Sequence, residues 1–226
     1  VVNRKLLIGG GIAGTVVLGA VLWGKREAGR THPTMPADVA ERELKRWSGL
    51  TEHEPAALPL LEEYWASTGQ AYPGSPDIPW SAAFVTYTVR ASSIPDALLP
   101  TGAHVVYARQ AYLDRGVPGR YGAYHPTEVR VQPSDIVVRS RPGNEGETLG
   151  QLTFSDLQRS GAIIPSHGDV VTDVGETEAR AIGGNMGQRG YSSVKSRLIP
   201  HNGGIITDPD VVAVLRYQSP GGLRFP

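Results

Sequence analysis

Ser81, His167 and Asn185 are the residues whose types and order suit chemistry, and the chemistry is acyl transfer. Ser81 lies in Pro79-Trp80-Ser81-Ala82-Ala83-Phe84-Val85, which reads as the opening of a buried helix. The free N–H groups of a helix start favour negative charge, so a nucleophile placed there has a site for the oxyanion of its own reaction. His167 would take the Ser81 proton, and Asn185 would hold the imidazole in the useful tautomer. Each residue also fits a plain role. Ser81 can be a small first-turn residue, His167 an ordinary strand-opening histidine, and Gly183-Gly184-Asn185 a turn.

The elements that must position these residues follow from the pattern of apolar residues. Asp77 and Pro79 suit a helix cap and first turn. Trp80, Phe84 and Tyr87 or Thr88 then recur at helical spacing, so a helix is expected from Trp80 to about Arg90. A second helix is expected over about Gly102–Arg115, with His104 and Tyr107 three apart on one face. Helical spacing also marks 37–48 and 54–68. After an irregular stretch at 116–133, the chain turns to strands: 135–138, 170–174, 179–182, 191–198 and 211–217. Helices before strands argue an α+β domain with helices packed on one face of an antiparallel sheet. Adjacent antiparallel strands would bring His167 beside Asn185.

Composition narrows the classes. The chain has 226 residues, a formal net charge of zero and 40% hydrophobic residues, enough for one domain with an extension. No Lys/Arg-rich patch argues for nucleic acid. The absence of cysteine excludes disulfides, thiolate catalysis and cysteine metal sites. His32, His53, His125 and His201 show no metal-ligand spacing, so neither metal nor cofactor is expected. Glu62 and Glu63 read as a solvated helix face, and Asp135 and Asp169 as turn or cap residues.

Residues 6–24 carry no charge across nineteen positions. A helix of that length spans roughly 28 Å, close to a bilayer's hydrocarbon thickness. With basic residues on both flanks and Trp23 at one end, residues 1–25 are expected to be a membrane anchor, the lipid bilayer being a partner through 6–24. Gly10 and Gly14 offer a weak helix-packing signal for a homo-oligomer or larger assembly. Residues 26–53 then form a linker and pre-domain helix, and 54–226 the α+β domain. The expected localisation is a single-pass membrane protein with its domain on the periplasmic or wall side, or alternatively part of a virion membrane or envelope complex.

Four segments, PWSAAFV, AHVVYARQAY at 103–112, HGDVVTDV at 167–174 and IGGNMGQRGYSSVKSR at 182–197, together resemble the bacterial family called domain of unknown function 2272. They also look like a serine-bearing relative of the NlpC/P60 and CHAP cell-wall peptidases. That resemblance covers about 55–217. It implies a papain-like or NlpC-like fold, with Ser81 where the relatives keep cysteine, His167 as the base and Asn185 as the orienting residue. Trp80, His104 and Tyr107 are expected near the cleft as substrate-binding residues. Peptidoglycan is then the expected partner, and an amide of its stem peptides or cross-links the expected bond. A serine cannot ionise before attack as a thiol can. Two outcomes follow: a serine hydrolase or acyl transferase, or a degenerate site that binds peptidoglycan or a partner.

Overall fold

The structure is a computed structural model that describes residues 33–141, 151–159, 161–188 and 190–222. From Thr34 onward the chain forms one compact unit. Four helices come first: α1 (Pro36–Arg46), α2 (Leu58–Ser67), α3 (Ser81–Arg90) and α4 (His104–Leu113). The strands are β1 (Tyr121–Tyr124), β2 (Ile136–Ser140), β3 (Ser166–Val174), β4 (Glu178–Met186), β5 (Ser193–Asn202), β6 (Ile205–Ile206) and β7 (Val211–Tyr217). They form an antiparallel sheet in the order β1-β7-β2-β3-β4-β5-β6. The α+β expectation therefore holds.

Each helix start carries its reason in the sequence. α1 has Pro36 in its first turn, Asp38 reaching back to the Met35 N–H at 2.7 Å, and Lys45 and Arg46 at its negative end. α3 departs from expectation. Its cap is Trp80, which makes no side-chain capping bond, and Asp77 stands outside the helix. Ser81 is thus the first helical residue.

The core divides by sheet face. On one face the helices bury Trp47, Trp80, Tyr64 and Phe84 against Val170, Ile182 and Leu215. Trp47, expected at the end of the pre-domain helix, stacks on Trp80 at 4.8 Å between ring centroids. On the other face Val137, Val171, Ala181, Ile199 and Val214 form a second cluster. The sheet closes over it where the Val131 N–H donates to the Gly204 carbonyl at 2.8 Å, joining the lead-in to β2 to the β5–β6 turn.

Alternation along β3 and β4 then decides which residues face the helices, because successive side chains leave a strand on opposite faces. A Cβ at Gly168 would lie 2.4 Å from Tyr107 Oη, and one at Gly184 would lie 2.6 Å from both Phe84 Cβ and Trp80 Cζ3. Gly168 and Gly184 are therefore where the helices rest on the sheet. His167, Asp169 and Gly183 belong to the opposite set, and a Cβ at Gly183 would lie 2.0 Å from Asp169 Oδ1.

One expectation is corrected. No helix among the described residues is long and apolar enough to cross a membrane. The longest among them, α1, has 11 residues, which at 1.5 Å each reaches about half of a bilayer's hydrocarbon thickness. The transmembrane helix and the single-pass localisation built on it thus find no support, and residues 6–24, to which they were assigned, lie outside the described residues.

Candidate functional site

The first residues of α3 and α4 meet. Ser81 Oγ lies 2.7 Å from His104 Nε2, and His104 Nδ1 lies 2.5 Å from Tyr107 Oη. All three are buried. His104 and Tyr107 are one helical turn apart on α4, which puts the phenol beside the imidazole. Gly168 makes the approach possible, since a Cβ there would also lie 2.7 Å from His104 Nδ1. In the tautomer suited to base catalysis, the Ser81 hydroxyl donates to Nε2 and the Nδ1–H donates to Tyr107 Oη.

The electrostatics fix the protonation states. Burial first, then the charges of His167 and Arg141, hold the His104 pKa well below the usual imidazole value. Burial first, then the Asp169 carboxylate, push the Tyr107 phenol well above its usual value. At neutral pH the site therefore contains a neutral imidazole and a neutral phenol.

Ser81 and His104 open into a cleft of about 720 Å³, also lined by Glu52, Asp77, Arg141 and Asn185. The first N–H groups of a helix have no intrahelical acceptor. Those of α3 begin at Ser81, since the first bond back to the cap is Phe84 N–H to the Trp80 carbonyl at 3.0 Å.

The other expected residues lie elsewhere. His167 does not bond Ser81. Its Nε2 lies 2.9 Å from Asp169 Oδ1, its Nδ1 has no hydrogen-bond partner among the described residues, and its ring centroid is 5.6 Å from that of His104. The reason is strand parity: Gly168 looks toward the helices, and His167 shares Asp169's side. Asn185 does not orient His167 either. Its left-handed backbone, φ 57°, sits in the irregular pairing between Gly183 and Met186, and its Nδ2 donates to Glu52 Oε2 at 3.0 Å. Trp80 is fully buried and donates its indole N–H to the same oxygen at 3.0 Å. It supports the cleft from within the core instead of lining it.

Glu52 is the residue that sequence reasoning passed over. Its buried carboxylate takes four donors: Trp80 Nε1 and Asn185 Nδ2 on Oε2, and the Gly190 and Ser192 N–H groups on Oε1 at 2.9 and 3.3 Å. It ties the residue before Ser81 to the end of β4 and the loop after it. A carboxylate three residues before the Pro55 helix signal carries no local mark of this, because its donors come from as far as 140 positions away.

Among the described residues no cluster of His, Cys, Asp and Glu is arranged to hold a metal ion. No curated protein and no solved structure matches the chain. A family model described as "Uncharacterized protein conserved in bacteria (DUF2272)" matches residues 38–219, which span α1 to β7 and hold Glu52, Ser81, His104, Tyr107, His167 and Asn185 alike. With that match over most of its length, the chain belongs to the DUF2272 family of bacterial proteins.

Proposed function

We propose that this protein is a serine-dependent hydrolase of amide or ester bonds, acting on the stem peptides or cross-links of peptidoglycan. The observation that carries the reaction class is the 2.7 Å contact of Ser81 Oγ with a neutral His104 Nε2 at the wall of an open cleft. Ser81 Oγ attacks the substrate carbonyl carbon while its proton passes to His104 Nε2. The oxyanion is met by the first N–H groups of α3. Collapse expels the leaving amine or alcohol, which takes the proton from Nε2. Water then attacks the acyl-Ser81 ester by the same route, releasing the acid and restoring the hydroxyl. Tyr107 accepts from Nδ1–H throughout and keeps Nε2 directed at the hydroxyl.

Peptidoglycan as the substrate rests on the likeness of the four motifs to the cell-wall peptidases and on membership of a bacterial family. A second reading is a non-catalytic module that binds peptidoglycan or a partner protein. It is favoured by the low basicity of His104 and by a phenol where a carboxylate would better stabilise the imidazolium. Digestion of purified sacculi separates the two. Release of soluble muropeptides by wild type and not by Ser81→Ala supports the hydrolase. Binding of sacculi without release by either supports the module.

A further inference from the structure

We propose that Arg141 is a specificity-determining residue that receives a carboxylate of the substrate, so that the substrates of this cleft are acidic. The inference rests on reading the cleft as the substrate site. Arg141 follows directly on β2, and its backbone N–H donates to the Pro165 carbonyl at 3.3 Å, which fastens it to the chain entering β3. Its side chain lines the same cleft as Ser81 and His104. Its charge adds, after burial and His167, to what holds the His104 pKa down.

The other charged groups of the lining are already engaged. Glu52 spends its carboxylate on four N–H donors. Asp77 lies 3.5 Å from His53 Nε2. Arg141 differs from these two lining groups: among the described residues no carboxylate forms an ion pair with it. A guanidinium fits a carboxylate with two parallel N–H bonds. In the same cleft as the nucleophile, it selects an acyl donor or leaving group that carries a carboxylate.

The test uses the full chain carrying Ser81→Ala, so that nothing turns over. Binding of N-acetyl-alanyl-alanine is compared with binding of its C-terminal carboxamide by NMR titration. The acid is expected to bind about tenfold more tightly than the amide. Arg141→Gln should abolish that preference and Arg141→Lys should keep part of it, with both variants unfolding at the same temperature as the parent. Equal binding of acid and amide, no measurable binding of the acid at millimolar concentration, or a preference that survives Arg141→Gln would each overturn the inference. Because the readout is binding, failure of sacculus digestion with the acid preference intact would sink the hydrolase and leave Arg141's role standing.

Discussion

Ser81 and His104 are each the first residue of a ten-residue helix, and the two helix starts are packed so that the hydroxyl meets the imidazole at 2.7 Å. A nucleophile, its base and the free N–H groups of a helix start are thereby gathered without any help from the sheet's own histidine. His167, the strand-borne candidate, is paired with Asp169 instead.

If His104 is the base, its removal should be as damaging as removal of the nucleophile. His104→Gln and Ser81→Ala should each lower kcat/KM by about 10²–10⁴-fold, and the double variant should lose little more, since the two act as a unit. His167→Gln should cost far less. Steady-state kinetics on a soluble muropeptide or ester checks this.

Tyr107→Phe removes the acceptor for Nδ1–H and leaves a buried polar nitrogen unpaired. A loss of about 1 kcal/mol in stability and about tenfold in kcat, with KM little changed, is expected. Gly168→Ala should do more. The new methyl falls against both Tyr107 Oη and His104 Nδ1, so the helix must lift from β3 at a cost of about 1–3 kcal/mol. Urea unfolding measures both.

The pH dependence follows from the depressed pKa of His104. Catalysis needs the neutral imidazole, so activity should stay level as pH falls through the usual histidine value of 6.5 and decline only below it. Stability has the matching sign. The unfolded chain takes up a proton near pH 6.5 while the folded His104 resists it, so this residue's contribution is intact above about 6.5 and is lost as pH falls toward the folded pKa. His104→Gln should flatten that part of the stability profile.

Ser81→Cys probes the same point differently. A neutral, weakly basic imidazole is a poor partner for a thiolate–imidazolium pair. The new thiol should therefore titrate at or above the ordinary cysteine value of about 8.5 in pH-dependent alkylation. An ionised thiol accompanied by a protonated His104 at neutral pH, read from the imidazole NMR signals, would contradict the electrostatics assigned to His104.

Glu52→Ala strands four donors in a buried place. A loss of about 2–3 kcal/mol is expected, which for a domain of this size is roughly 5–10 °C in Tm. Because Glu52 holds both Trp80 and Asn185, activity should fall further than stability alone accounts for, and calorimetry beside kinetics separates the two.

Much of this was legible in the chain. The apolar spacing of Trp80 and Phe84 marked a buried helix with Ser81 in its first turn, and the β-branched runs at 170–174 and 211–217 marked strands. Which histidine would meet Ser81 was not legible, because that depends on how the start of α4 docks beside the start of α3. Half of the answer was nonetheless written in His167-Gly168-Asp169. In a strand these alternate, so His167 and Asp169 had to share a side with Gly168 on the other, and the docking of α4 decided that the glycine lay under the helices. Glu52 left no trace, since its four donors are assembled by the fold alone.

In the proposed mechanism His104 activates Ser81. The most direct test treats wild type, Ser81→Ala, His104→Gln and His167→Gln with a fluorophosphonate and locates the adduct by peptide mass spectrometry. An adduct is expected on Ser81 in wild type and in His167→Gln, and none in Ser81→Ala or His104→Gln. An adduct that persists in His104→Gln and vanishes in His167→Gln, or no adduct on Ser81 in wild type, would contradict it.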